Sequence, residues 1–236
     1  MMHEGLEHKL RAATPEEARL QEIAGLRQKG TFELATLEEC RAVTNAEPLS
    51  CKWVESHEEG GHKARYVVRG FEEVQGGQLT YAPTVSLTAC RMVIGLVVGR
   101  PEWELYAGDY KKAFLNANLA SVPGQDEVFV RAQEEDVESR GFCWRLVRAL
   151  YGLRSAPAAW CETLLAYLRE VGWTSHPLDP CLLRHADTGA GLAIHVDDFV
   201  LACPPGAGKA LLAELGAKFA LCLQMVTSSG VTFLGR

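Results

Sequence analysis

No stretch of this sequence is long and apolar enough to cross a bilayer. The best apolar run, Met92–Gly99, makes about two helical turns, where a crossing helix takes about 20 residues. The start, Met1-Met2-His3-Glu4-Gly5, has neither the basic flank nor the apolar core of a secretory signal. The eight cysteines, at 40, 51, 90, 143, 161, 181, 203 and 222, include no CxxC pair. They therefore read as reduced, mostly buried thiols of an intracellular protein, not as a disulfide framework or a zinc ribbon. Cys51, His57 and His62 come nearest to metal-ligand spacing and have no fourth partner. Repeats and low-complexity tracts are absent. So is an excess of positive charge: 24 Lys and Arg stand against 30 Asp and Glu, for a net charge of −6. The net sign speaks against a general polyanion binder. Its distribution leaves room for a local basic groove, because residues 141–184 carry 5 basic and 3 acidic side chains.

What is present suits a globular chain of 236 residues, 47% hydrophobic and 23% charged. That length fits one large domain or two small ones. Thr14 as N-cap and Pro15 in the first turn predict a helix to about Lys29, stopped by Gly30. A short helix is expected over Leu37–Ala42. Residues 1–51 contain few β-branched or aromatic residues and read as a helical connector. Lys52–Glu55 and Lys63–Arg69 read as strands around a Glu58–Gly61 turn. Leu87, Cys90, Ile94 and Val97 or Val98 recur at helical spacing within Ser86–Gly99. Further strands are expected over Trp103–Asp109, Glu127–Arg131, Cys143–Val147, Cys181–Arg184, Leu192–Val196, Phe199–Cys203 and Val231–Leu234. Helices are expected over Pro157–Val171, capped by Ser155, and over Lys209–Ala220. Strands and helices mix without strict βαβ alternation, so the expected class is α+β, an antiparallel sheet carrying helices.

The chemistry concentrates in Ala193-Ile194-His195-Val196-Asp197-Asp198-Phe199-Val200-Leu201. Two adjacent carboxylates sit at the tip of an apolar hairpin, where their repulsion calls for compensation by a divalent cation such as Mg²⁺. Asp109, at the end of another strand, supplies a third carboxylate. Three carboxylates on two strand ends can hold the paired Mg²⁺ ions of phosphoryl transfer.

These residues belong to an ordered series. Lys63–Phe71, Tyr81-Ala82-Pro83-Thr84-Val85, Asp109–Asn116, Ala149-Leu150-Tyr151-Gly152-Leu153-Arg154-Ser155-Ala156-Pro157-Ala158-Ala159-Trp160, Asp179-Pro180-Cys181-Leu182 and His195-Val196-Asp197-Asp198 follow one another. From Lys52 to Gly235 the chain resembles the reverse transcriptase of copia-type LTR retrotransposons. The resemblance implies polymerase fingers and palm over 52–236, with an antiparallel palm sheet and packed helices. It implies that Asp109, Asp197 and Asp198 are the catalytic metal ligands for two Mg²⁺ ions, for which Mn²⁺ can substitute. Lys63 and Arg65 are expected at the nucleotide triphosphate, and Phe114 beneath the sugar as a gate against ribonucleotides. Gly152 and Pro157 are expected to shape the nucleotide and template side. The implied partners are an RNA or DNA template with its primer, deoxynucleoside triphosphates, and the integrase and ribonuclease H domains of a polyprotein. No membrane is among them. The implied location is a cytoplasmic particle or the nucleus. The sequence departs from the family pattern at His195, where Tyr is usual, at Tyr110 for Val and at Lys112 for Asn. It stops where the primer-gripping hairpin begins, so the expectation is a fragment without thumb or ribonuclease H.

Two other functions remain open at this point. One is an inactive, decayed or co-opted fragment that binds nucleic acid or protein. The other is a P-loop nucleotide-binding protein, from Pro204-Pro205-Gly206-Ala207-Gly208-Lys209-Ala210 between a strand and a helix. Cys203 stands there in place of the first glycine, and Ala210 in place of the Ser or Thr that reaches Mg²⁺.

Overall fold

The computed structural model describes residues 12–58, 60–73, 79–122 and 127–226. In chain order these form α1 (Pro15–Gln28), β1 (Phe32–Ala35), α2 (Leu37–Thr44), β2 (Cys51–Glu58), β3 (Gly61–Val68), α3 (Leu87–Val98), β4 (Glu104–Tyr110), β5 (Phe129–Arg131), β6 (Cys143–Leu146), α4 (Ala156–Glu170), β7 (Trp173–His176), β8 (Asp179–His185), β9 (Gly191–His195), β10 (Asp198–Cys203), α5 (Gly208–Leu215) and β11 (Leu221–Met225). The β-pairings between these strands are all antiparallel. The class is α+β, as expected. The chain divides into two compact units, one from Met1–Leu79 with Asn118–Ala156, the other from Thr80–Ala117 with Pro157–Arg236. The strand expected over Val231–Leu234 lies outside the described residues.

In the first unit, a three-stranded sheet runs in the order β1-β6-β5, and β2 and β3 form a hairpin. Thr14 caps α1 by accepting from the Glu17 amide at 3.2 Å, and Thr36 and Glu39 close a capping box on α2. The expectation of a connector over 1–51 meets a different arrangement. β1 pairs with β6 from Phe32↔Leu146 to Ala35↔Cys143. Phe32 stacks on the fully buried Trp144 at 3.9 Å between centroids. Arg27 lies over Phe32 and pairs with the buried Asp136 at 2.7 Å. Within that segment, β1 and the end of α1 are therefore packed into this unit. A four-residue strand whose partner lies more than 100 residues away leaves no local pattern to read.

The second unit is a six-stranded sheet in the order β11-β4-β10-β9-β8-β7. Phe199–Cys203 and Gly191–Ile194 are buried along their whole length, because helices cover both faces. One face receives α3: Val93 and Leu96 lie over Gly191. The other receives α4, whose Leu164, Leu165 and Leu168 are buried as their spacing predicts. The Ser155 hydroxyl has no hydrogen-bond partner among the described residues, so it does not provide the expected cap.

Three expectations about this unit need correction. α3 buries Ala89, Cys90 and Val93, while Leu87, Ile94 and Val98 of the expected face are exposed. The missing side chain at Gly191 leaves room for Val93 and Leu96, and that contact sets the helix's rotation. α5 ends at Leu215, with Gly216 as C-cap, short of Ala220. The residues after it form β11, paired with β4, a strand the sequence reading did not contain.

All eight cysteines are free, and Cys40, Cys90, Cys143, Cys181 and Cys203 are buried. His57 and His62 face each other across the β2–β3 hairpin at 4.7 Å. Cys51 pairs with Val68 near the other end, about 20 Å along the strand, so these three do not converge on a metal.

Tyr110, Trp160, Phe199, Phe219 and Tyr167 form an aromatic cluster with centroid separations of 5.1–6.2 Å. Tyr110 is 1% exposed and its hydroxyl has no hydrogen-bond partner among the described residues. A buried, unpaired hydroxyl costs about 1–3 kcal/mol. Tyr110→Phe is therefore expected to raise stability by about 1 kcal/mol. Urea unfolding checks this, and a loss of stability would show the hydroxyl to be bonded.

Candidate active site

The hairpin of β9 and β10 forms because two apolar, β-prone runs flank a tight turn at Val196-Asp197. Val196 adopts φ 58°, a left-handed conformation that a β-branched side chain rarely takes. Such outliers persist only where surroundings hold them, and they cluster at functional sites. Two hydrogen bonds anchor this one. The Val196 carbonyl accepts from the Trp160 indole N–H at 2.7 Å, and the Asp197 carbonyl accepts from the Tyr110 amide at 2.8 Å.

Register brings the acids together. Asp198 pairs directly with Asp109, and directly opposed residues share a face of the sheet. The row extends to His195 on β9 and Cys222 on β11. Asp109 and Asp198 are half-buried and Asp197 is exposed at the tip. The Asp198 carboxyl is held above its ordinary range, first by burial, then by the negative charges of Asp197 and Asp109, with His195 acting in the opposite sense. Negative charges gathered around the Asp198 carboxyl favour a cation at that place. Three hard oxygen donors fit Mg²⁺ or Mn²⁺ in donor chemistry. Their side chains are adjacent but not converged: no group of three or more His, Cys, Asp or Glu among the described residues is arranged to hold a metal.

Phe114 lies in the same unit, half-buried on the 3-10 turn Ala113–Asn116 that follows β4. Lys112, entering that turn, is left-handed at φ 51°. Pro157 lies in the first turn of α4. It lines a small apolar cavity with Pro83, Trp160, Ile194 and Val196.

Lys63, Arg65 and Gly152 belong to the other unit. On β3, Lys63 and Arg65 are exposed while Ala64, Tyr66 and Val68 alternate inward. Arg65 lies over the Tyr151 ring at 5.4 Å. Next to it, Gly152 takes φ +91° and packs on the end of β3, where a Cβ would overlap the Val68 carbonyl oxygen.

The sequence reading missed His195 and Cys222 as neighbours of the acids within one row. Only register reveals them, since β11 gave no recognisable pattern. The Pro204–Ala210 segment does not form a phosphate cradle. Gly208 is packed against the Tyr106 ring, and the Glu104 carboxylate lies beside it. An anion in that position repels phosphate.

Residues 35–229 match the family described as reverse transcriptase (RNA-dependent DNA polymerase). The chain belongs to this family. Its curated relatives place it among the copia-type reverse transcriptases. It is 28% identical over 208 residues to the retrovirus-related Pol polyprotein from transposon TNT 1-94 of Nicotiana tabacum, covering 83% of this chain and 15% of that one. It is 29% identical over 165 residues to the corresponding polyprotein from transposon RE2 of Arabidopsis thaliana, covering 65% of this chain and 11% of the relative. The chain thus spans a small part of each relative. Among solved structures, a foamy viral protease-reverse transcriptase in complex with ds DNA aligns with 95% of this chain and 34% of its own. Identity there is 13% and the TM-score 0.49.

Proposed function

We propose that the chain forms the fingers and palm of an RNA-directed DNA polymerase that adds deoxynucleotides to a primer on an RNA or DNA template. The observation that carries this reading is the cross-strand pair of Asp109 and Asp198, with Asp197 one residue away on a strained turn, in a chain of the reverse transcriptase family. Asp109, Asp197 and Asp198 would hold two divalent cations. When bound, Mg²⁺ or Mn²⁺ supplies Lewis acidity for the primer 3′-hydroxyl and for the departing pyrophosphate. The chain's own contribution is to set Asp109 and Asp198 side by side on paired strands, with Asp197 on the turn next to them; a bound cation would draw the three carboxylates together. Lys63 and Arg65 supply fixed positive charge for the triphosphate, and Gly152 and Pro157 shape the loop and helix start between them in sequence. The further partners of this reading are the integrase and ribonuclease H domains of a polyprotein, in a cytoplasmic particle or the nucleus.

Primer extension on an RNA template, with deoxynucleotides and Mg²⁺ or Mn²⁺, tests the proposal. Extension that stops on chelation supports it. A second reading, a nucleic-acid-binding fragment without catalysis, draws on the unconverged carboxylates. Template–primer binding without extension would favour it.

Phe114 is proposed as the ring that meets a ribose 2′-hydroxyl. Phe114→Ala is expected to raise ribonucleotide incorporation relative to deoxynucleotide by at least about tenfold, the scale of one lost steric contact. Competition between the two nucleotide types measures it, and unchanged sugar selectivity would remove the role.

A further inference from the structure

Val196 is the only β-branched residue in the left-handed region among the described residues. His195 pairs with Asp198, and the two-residue loop between them calls for positive φ at its first position; a branched Cβ resists that conformation, so the turn draws on bonds from outside it. The two carbonyls of the turn point to what holds it. One is bonded by the Tyr110 main chain and the other by the Trp160 side chain. Trp160 is itself immobilised. It is fully buried, and its ring packs edge-on against Tyr110 at 5.4 Å and Phe219 at 5.1 Å. Its indole N–H therefore has a fixed direction, and the Val196 carbonyl is its acceptor.

We propose that Trp160 is a positioning residue: its N–H holds Val196 left-handed and thereby aims Asp197. The part that concerns catalysis rests on reading Asp197 as a metal-binding carboxylate. Loss of the donation frees the Val196–Asp197 peptide to rotate toward the conformation valine prefers, and the Asp197 side chain swings with it. Tyr110 cannot substitute, because its bond goes to the next carbonyl along.

The test separates the clamp from the reaction. In isotopically labelled protein, the Val196 Cα and Cβ chemical shifts report its backbone conformation without any activity. In Trp160→Phe, which keeps a ring but loses the donor, those shifts are expected to leave left-handed values. Primer extension in the same variant is expected to lose kcat by about ten- to a hundredfold, the scale of a misplacement near 1 Å, with KM for deoxynucleotide within about twofold. Left-handed Val196 shifts in folded Trp160→Phe overturn the proposal, and so does a loss that falls on KM alone. Should Trp160→Phe not fold, 3-benzothienylalanine at position 160 replaces the N–H by sulfur in a side chain of nearly the same shape, and the same two shift outcomes apply. A wild-type chain without extension counts against the polymerase reading and leaves the shifts to decide the clamp.

Discussion

Asp197→Asn is expected to lower primer extension by about a thousandfold or more while leaving the chain folded. The side chain is exposed at the tip of the turn, and its main-chain carbonyl, which anchors the turn to Tyr110, is untouched by the substitution. Asn matches Asp in size and tolerates turns. What changes is one negative charge. A neutral amide is a poor ligand for a hard divalent cation, and the charge stabilisation such a cation provides is worth several kcal/mol. At about 1.4 kcal/mol per tenfold, a loss of about 4 kcal/mol reaches three orders of magnitude. Stability should move the other way, if at all. The Asp197 charge is one of the forces that raise the proton affinity of Asp198, so its removal relieves repulsion. Extension rates and thermal unfolding of wild type, Asp197→Asn and the exposed-acid control Asp187→Asn decide it. Asp187 lies in the turn between β8 and β9. Extension by Asp197→Asn within tenfold of the control would overturn the proposal that Asp197 is a metal ligand.

The acid hairpin was legible because its signal is local: an apolar run, two carboxylates, an apolar run. α1 and α4 were legible for the same reason, through Thr14 and Pro15 at one start and Pro157 and Gly172 around the other. The alternation that exposes Lys63 and Arg65 and buries Ala64, Tyr66 and Val68 is local as well. What could not be read depends on partners far along the chain. β1 is four residues long and owes its existence to β6. β11 owes its place to β4. The row Cys222–Asp109–Asp198–His195 is a consequence of register on three pairings, and no single segment encodes it. α3 shows a third kind of limit. Its period was right and its face was not, because leucine, isoleucine and valine mark an apolar helix without saying which side meets the sheet. Gly191 decides that, by leaving room for Val93 and Leu96. The clamp on the turn belongs to the same class. Trp160 was visible as the end of a motif, but its bond to Val196 joins α4 to a hairpin 36 positions later.

Gly152→Ala is expected to destabilise the unit that contains β3 by about 2–5 kcal/mol, where Gly206→Ala costs about 1–2 kcal/mol. Both glycines have positive φ, +91° and +80°, so both substitutions carry the left-handed penalty of about 1–2 kcal/mol that an L side chain meets there. Their surroundings differ. A Cβ on Gly206 meets nothing within 4 Å, whereas one on Gly152 overlaps the Val68 carbonyl oxygen and comes within 2.8 Å of Val67 Cγ1. Val68 is bonded at that same point, its amide donating to the Tyr151 carbonyl at 2.8 Å. Two further bonds hold the loop against the turn after β3: Arg154 donates from its amide to Glu73 and from Nε to the Gly70 carbonyl, at 2.9 and 2.8 Å. The loop therefore has no free direction in which to retreat. An overlap that backbone must relieve adds about 1–3 kcal/mol, and the total is a large fraction of the 5–15 kcal/mol that holds a domain together. Hydrogen exchange at the β3 amides reads this unit by itself. Faster exchange by about thirtyfold or more in Gly152→Ala, against less than tenfold in Gly206→Ala, which lies in the other unit, is the expected pattern. Equal protection in the two variants would mean that the close packing on β3 can yield.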